Sequence, residues 1–174
     1  SLTKQFTDNI FARMHQNHEQ VILAELIDSS TFHYLKRILS VDTFQKRVTY
    51  DGGKTIKIDT FILSASERRL IDSFYHLPEN FLWTKELINA TILTSDTVNS
   101  IYERREDIGN YLGTRYGGRR LFTLSKPIFL RNNSICIFFK ENDCGFLCGG
   151  GTLAIYRKED AKWSHYIILA EWVE

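Results

Sequence analysis

The sequence has few of the residues that mark specialised protein classes. It contains two prolines, one methionine and three cysteines among 174 residues, and its formal net charge is +1. Two prolines, together with 43% hydrophobic residues, exclude a collagen-like, low-complexity or disordered chain. A net charge so close to zero supplies no long-range field for nucleic acid, which usually binds domains with basic residues gathered on one face. We therefore expect a globular protein that does not bind nucleic acid.

Long apolar runs are also missing. No run approaches the length of about 20 residues that spans a bilayer, and residues 1–8 lack the basic and apolar regions of a signal peptide. We expect a soluble chain without a transmembrane segment. Because the sequence begins at Ser1, an export signal removed from a longer chain is compatible with it.

Signatures of the common catalytic and cofactor sites are absent from the sequence. It has no Walker loop, no dinucleotide fingerprint and no GxSxG nucleophile elbow. His15 and His18 are three residues apart on a predicted helix, but no glutamate completes the HExxH spacing of a zinc helix, so we expect exposed histidines. Cys144 and Cys148 have no second Cys/His pair with the spacing of a structural zinc site. We predict no metal, no cofactor and no identifiable catalytic residue.

Helical signals fill much of the first two thirds of the chain. Apolar residues at helical spacing predict one or two amphipathic helices over residues 2–28. Ser64 and Glu67 have the spacing of a capping box, which predicts the start of another helix. A last helix is predicted to begin near Ser95 and to end at Gly117, since glycine readily adopts the left-handed conformation that closes a helix.

A β-hairpin is predicted over residues 44–63. The residues on either side of Asp51-Gly52-Gly53 are rich in β-branched and aromatic side chains, and an Asp-Gly pair favours the tight turn of a hairpin.

The last third of the sequence predicts four strands. They cover residues 120–130, 134–140, 152–158 and 163–172, and the short connections between them make sequential strands antiparallel neighbours. Within residues 134–140 both alternating sets of side chains are apolar, so both faces of that strand should be covered.

These elements predict an α+β fold in one domain. N-terminal helices and a β-hairpin precede a C-terminal four-stranded antiparallel meander packed against helices. The single domain spans residues 1–174, with a helix-rich part over 1–118 and the β-meander over 120–172. A chain of this length can bury roughly 70% of the surface that its unfolded form exposes, so its core needs no covalent staple.

The glycine-rich segment that begins at Asp143 and ends at Gly151 contains two of the three cysteines. Cys144 and Cys148 are separated by three residues in a predicted turn, so their sulfur atoms can meet. Several roles stay open: a local disulfide if the chain is exported, free or packed thiols, a redox or nucleophilic pair, and metal ligands. Redox pairs usually have two intervening residues before a helix, whereas three are found here before a strand.

Arginines and tyrosines surround a second glycine-bearing segment, residues 113–118. Guanidinium groups beside a glycine backbone can bind an anion such as a phosphate or a carboxylate, and tyrosines can line a pocket. Neighbouring acidic residues can instead neutralise the arginines as an ordinary solvated surface. The candidate ligand- or partner-binding residues are Tyr111, Arg115, Tyr116, Arg119 and Arg120.

Residues 120–165 resemble a segment found in an uncharacterised family of small proteins of Bacteroides and Flavobacterium type bacteria, many of them exported or lipid-anchored. The resemblance is carried by Phe122-Thr123-Leu124-Ser125-Lys126-Pro127-Ile128-Phe129, Cys144-Gly145-Phe146-Leu147-Cys148-Gly149-Gly150-Gly151, Leu153-Ala154-Ile155-Tyr156 and Trp163. It implies export and favours the disulfide between Cys144 and Cys148. No activity, substrate or catalytic residue carries over from the family, and the sequence shows no lipobox for an anchor.

The leading functional prediction is an exported, non-catalytic binding or interaction protein with a structured cysteine-glycine turn. Its partner would be a protein or a small anionic ligand, in the periplasm or outside the cell, with the cytoplasm as the alternative. The free edge of the last strand can also pair in a homodimer.

Two other functional classes fit the sequence. One is a hydrolase in which Cys144 or Cys148 supplies a thiolate and His165 supplies the base. The other is an inhibitor, immunity or assembly protein that acts through its whole surface.

Overall fold

The computed structural model of the chain describes residues 1–46, 59–76, 81–103, 107–145 and 148–173. These parts of the chain contain both helices and strands, and the last five elements are all strands, so the α+β class is confirmed. Among the described residues, none of the helices has the length and apolar character needed to cross a bilayer.

Polar side chains cap the beginning of several of the described helices. Asp28 accepts a hydrogen bond from the Thr31 amide at 3.0 Å, and Ser64 and Glu67 form the predicted capping box, with bonds of 2.7 and 3.2 Å. The described helices are α1 (Leu2–Ile10), α2 (Ala12–Gln16), α3 (Ser29–Ile38), α4 (Ala65–His76), α5 (Ser95–Glu103) and α6 (Ile108–Tyr116).

The helix predicted to end at Gly117 is two helices in the structure. These are α5 and α6, and residues 104–106 between them lie outside the described residues. Gly117 has a φ of +76° and its amide donates to the Gly113 carbonyl, so it closes α6 in the left-handed conformation.

The strands form one large mixed sheet and one small hairpin. They are β1 (Ile22–Ala24), β2 (Thr43–Gln45), β3 (Thr60–Ile62), β4 (Thr91–Leu93), β5 (Leu121–Leu124), β6 (Ile128–Leu130), β7 (Ile135–Asp143), β8 (Gly149–Glu159) and β9 (Lys162–Val173). The large sheet has the order β4-β1-β5-β7-β8-β9, and β6 also pairs with β7.

The predicted four-stranded meander is wrong in its extent, because the sheet has seven strands and is mixed. The C-terminal strands are antiparallel, but β1 runs parallel to both β4 and β5. The prediction of helices over residues 2–28 missed β1. Its three residues are all buried, and a central parallel strand buried on both faces is a continuous apolar run with no alternation. The helix-rich part over 1–118 therefore also contributes two strands to the sheet.

The strand predicted over residues 120–130 is divided into β5 and β6. Both pair with the same side of β7, and the break between them contains Ser125 and Pro127. Ser125 bridges this break, because its amide donates to the Phe139 carbonyl at 3.1 Å and its hydroxyl accepts from the Phe139 amide at 3.0 Å. Pro127 has no amide proton to continue the ladder.

The hairpin predicted over residues 44–63 is present as the antiparallel pair of β2 and β3. Phe44 faces Phe61 in its register, and both side chains are buried. The predicted turn at Asp51-Gly52-Gly53 lies outside the described residues.

Helices cover both faces of the sheet, as the two-sided apolar pattern of residues 134–140 predicts. On one face Ile137 and Phe139 of β7 pack against α3, α4 and the hairpin. On the other face Phe138 packs against α1 and its neighbours. Phe6 of α1 is fully buried there, and its ring meets that of Phe138 edge to face at a centroid distance of 4.9 Å.

We predict that Gly151→Ala destabilises the fold. Gly151 of β8 pairs with Trp172 of β9, and a β-carbon at this position would overlap the indole ring, which stacks on Phe139 at a centroid distance of 5.6 Å. The variant should lose about 1–3 kcal/mol of unfolding free energy in urea titrations, which is the usual cost of overpacking.

The Gly151 penalty should become smaller in a Trp172→Ala background, because the overlapping ring is then gone. Gly113→Ala in α6 is the matched control: its nearest contact would be the Arg119 Cγ at an ordinary 3.5 Å, so it should not destabilise. An equal penalty for Gly151→Ala with and without Trp172 would contradict this account.

Candidate functional site

The cysteine turn connects β7 to β8 and is closed by backbone bonds. The sulfur atoms of Cys144 and Cys148 lie at disulfide bonding distance, with their Cα atoms 5.2 Å apart. The Cys144 amide donates to the Cys148 carbonyl at 2.9 Å. Gly145 adopts a φ of +97°, which favours glycine, and its amide donates to the Asp143 carboxylate at 2.8 Å. Hydrogen bonds therefore hold the described ends of the turn, apart from its sulfur atoms.

Two helices hold the cysteine turn in place. The Tyr102 hydroxyl of α5 donates to the Asp143 carboxylate at 2.9 Å. Partial burial and this carboxylate raise the pKa of Tyr102, so the phenol remains a donor at neutral pH. The first turn of α6 lies directly against the cysteine turn, since a β-carbon at Gly109 would be 2.8 Å from the Cys144 carbonyl oxygen. Glycine at position 109 allows this close approach.

Arg119 and Arg120 lie beside the cysteine turn. Together with Cys144 and Cys148 they line a cleft of about 540 Å³. The arginine segment and the cysteine turn, which the sequence indicated as separate candidates, therefore meet at one site. Among the described residues, neither guanidinium forms an ion pair. We call this site the arginine cleft.

Acidic side chains also line the arginine cleft. Asp107, which caps α6, accepts bonds from the amide and the side chain of Asn110 at 3.2 and 3.0 Å. Glu19, which follows α2, also lines the cleft. The Asp107 carboxylate is therefore occupied by its capping role, which leaves the two arginines accessible to another anion.

The other three predicted binding residues do not line the arginine cleft. Arg115 is exposed on α6. Tyr111 and Tyr116 stand with their ring centroids 6.4 Å apart and pack against the buried cluster that contains Leu112. The two tyrosines contribute to the packing of α6, and the site residues in the cleft are the two that follow the helix.

The structure does not bring the predicted hydrolase residues together. His165 lies on β9, where its Nε2 is 2.8 Å from the Tyr156 hydroxyl. Tyr156 is seven residues along β8 from Gly149, which begins the strand beside the cysteines, so the two places are separated by about 20 Å. His165 is therefore not placed to act as the base for a thiolate at Cys144 or Cys148.

Among the described residues, Cys136 and the pair of His15 and His18 also do not form a catalytic or metal-binding group. Cys136 is buried in β7, and burial raises its pKa well above the ordinary value, so it is a poor nucleophile. His18 is exposed and His15 is half-buried. Within the described parts of the chain, no group of three or more His, Cys, Asp or Glu side chains could hold a metal ion.

An apolar cavity of about 500 Å³ lies between α3, α4 and the sheet, and the sequence did not indicate it. Nearly all of its lining side chains are apolar or aromatic. They include Phe32, Leu35, Leu70, Phe74, Ile128 and Leu153.

The three polar residues of the apolar cavity differ in how they are bonded. The Ser73 hydroxyl donates to the Leu70 carbonyl at 2.7 Å, and the Ser125 hydroxyl accepts from the Phe139 amide. Lys126 forms no ion pair with any residue that the structure describes. Lys126 is exposed, and among the described lining residues it supplies a charge that has no acidic partner.

Sequence patterns could not reveal this cavity, because spacing shows which side chains face inward but not whether they fill the space. Phe32 and Leu35 fit a short helical stripe, as do Leu70 and Phe74, and each stripe alone predicts ordinary core packing. The one local signal is Lys126, a charged residue in the break between two buried strands.

Comparison of the chain with protein-family models, with curated proteins and with solved structures finds no match. The resemblance of residues 120–165 to an exported bacterial family therefore stays a prediction.

We predict that unreduced, denatured protein has one thiol that can be alkylated. Cys144 and Cys148 are at bonding distance, which leaves Cys136 as the free cysteine. Intact-mass spectrometry should show a single adduct before reduction and three after it, with the unreduced chain lighter by two hydrogen atoms. Cys136→Ala should remove the single adduct. Three adducts without reduction would contradict the pairing.

Proposed function

We propose that the protein is a non-catalytic binding protein and that its ligand site is the apolar cavity between α3, α4 and the sheet. The observation that carries the proposal is the cavity itself, because its described lining is almost entirely apolar and ligand sites are usually apolar clefts with a few polar groups. A volume of about 500 Å³ with apolar walls and a few polar groups is typical of a small-molecule site.

The position of the cavity supports access from outside. Leu70 lines the cavity and is 41% exposed, and Phe74 and Phe81 are half-buried beside it. These side chains can be covered by a ligand without unfolding of the sheet beneath. Apolar surface that a ligand removes from water contributes roughly 25 cal/mol per Å² to its binding, before the entropic costs of association.

The lining supports binding rather than catalysis. Among the described residues the polar groups of the cavity are two hydroxyls already bonded to the backbone and one ammonium. Acid–base catalysis needs a group that can exchange a proton near neutral pH, and nucleophilic catalysis needs an activated nucleophile. Among the described residues, neither kind of group lines the cavity. We therefore propose that the cavity binds its ligand without transforming it.

We further propose that the protein acts in an oxidising compartment, the periplasm or the exterior of the cell. The cysteine pair at disulfide distance supports this location, since disulfides persist in such compartments and are rare in the cytosol.

The arginine cleft is a second candidate site, for a small anion or for an acidic group of a partner protein. Two observations favour it: among the described residues the guanidinium groups of Arg119 and Arg120 form no ion pair, and a second positive charge lies near Arg120. Burial, followed by the charge of Arg120, lowers the pKa of Lys140, so Arg120 and Lys140 are close enough for their positive charges to interact.

We predict that filling the cavity abolishes apolar ligand binding. Wild-type protein should bind the neutral fluorescent probe N-phenyl-1-naphthylamine saturably at one site, and Ser73→Trp should weaken that binding at least about tenfold by occupying the cavity. Ser73 is exposed and bonds only to its own helix, so the variant should keep its melting temperature.

Arg69→Trp is the matched control for this test. It places the same indole at an exposed position of α4 that does not line the cavity, and its probe affinity should stay within about twofold of wild type. Probe binding that is absent from the wild type, or unchanged by Ser73→Trp, would overturn the proposed function.

For the arginine cleft we predict that Arg119→Gln/Arg120→Gln weakens the binding of inorganic phosphate at least about tenfold. The melting temperature should not change, because both side chains are exposed. Titration followed by backbone amide chemical shifts measures the affinity, and Arg115→Gln, exposed on α6 outside the cleft, is the control. The same phosphate affinity in the double variant and the wild type would remove this candidate.

A further inference from the structure

We propose that the ligand of the apolar cavity is a single-chain amphiphile with one anionic head group, and that the ammonium of Lys126 binds this head group. The inference rests on the proposed function and adds the chemical class of the ligand.

Lys126 is positioned by the break between β5 and β6. The residues on either side of it are fixed: Ser125 is bonded to Phe139 through both its amide and its hydroxyl, and Pro127 is buried. Lys126 therefore leaves the sheet at a defined place, and it lines the cavity together with Ser125. An ammonium on a rigid strand connection is a better anchor point than one on a loose loop.

Aromatic rings hold the ammonium against the cavity wall. The Lys126 Nζ is 4.7 Å from the ring centroid of Phe74 and 5.3 Å from that of Phe81, and both rings line the cavity. Two cation–π contacts orient the charge beside apolar surface. A carboxylate placed at this ammonium would have its alkyl chain next to the apolar walls, so one molecule can satisfy both features.

The charge of the cavity selects the sign of the ligand. Among the described residues that line it, Lys126 is the charged one, and no acidic side chain faces it across the space. An anionic head forms an ion pair with the ammonium that an alcohol head cannot form, and a cationic head would be repelled. We therefore expect this site to prefer an anionic head group over a neutral or cationic one.

The size of the cavity selects one chain. Its volume of about 500 Å³ lies in the lower half of the range for small-molecule sites, and its walls converge from α3, α4 and the sheet. That space suits a single medium-length alkyl chain better than a lipid with two chains. Within a homologous series, each methylene buried there should strengthen binding about fourfold, until the cavity is full.

The test compares head groups on one chain length by isothermal titration calorimetry with decanoate, 1-decanol and decylamine. We expect wild-type protein to bind decanoate about tenfold more tightly than decanol and decylamine most weakly. Lys126→Met, which keeps the length of the side chain and removes its charge, should abolish the preference for decanoate without weakening decanol. Lys126→Arg should keep the preference.

The outcomes separate this inference from the proposed function. Equal affinities for decanoate and decanol, unchanged by Lys126→Met but lost in Ser73→Trp, would overturn the head-group assignment and leave the cavity as a binding site. Failure of all three compounds to bind the wild type would overturn both. Binding of decanoate that Ser73→Trp leaves intact would locate the site elsewhere and overturn the inference as well.

Discussion

The two-sided apolar pattern of β7 is the constraint on which the rest of the structure depends. Phe138 and Phe139 are adjacent in sequence, point to opposite faces and are both fully buried, so the sheet must be covered on both sides. The N-terminal helices supply one cover, while α3, α4 and the small hairpin supply the other. A chain with helices on one face alone would leave half of this strand in water.

The two covers are packed differently, and this difference is what creates the candidate ligand site. On the face of α1, the ring of Phe6 meets Phe138, Tyr156 and Trp163 edge to face at centroid distances of 4.9 to 5.4 Å, so aromatic side chains fill the space. On the opposite face, α3 and α4 stand over the sheet with a cavity between them. The ligand site is therefore proposed at the face where the helices leave a cleft over the sheet.

Sequence reasoning succeeded where the signal is local. The capping box at Ser64, the helix end at Gly117 and the two-sided apolar pattern of β7 depend on residues a few positions apart, and the structure confirms them. It failed at β1, because three buried residues of a parallel strand have partners about 70 and 100 positions away and no alternation of their own. The arginine and cysteine segments were each identified, but their meeting and the cavity are products of tertiary packing.

The position of Cys136 has a consequence for how the chain folds under oxidising conditions. A chain with three cysteines can form any of three single disulfides, and two of these would involve Cys136 and distort the central strand. Cys144 and Cys148 are only four positions apart, so they close the shortest loop and meet most often in the unfolded chain. Burial of Cys136 then removes the competing thiol from exchange. The short spacing of Cys144 and Cys148 and the position of Cys136 in a strand therefore both favour the Cys144–Cys148 disulfide over the other two.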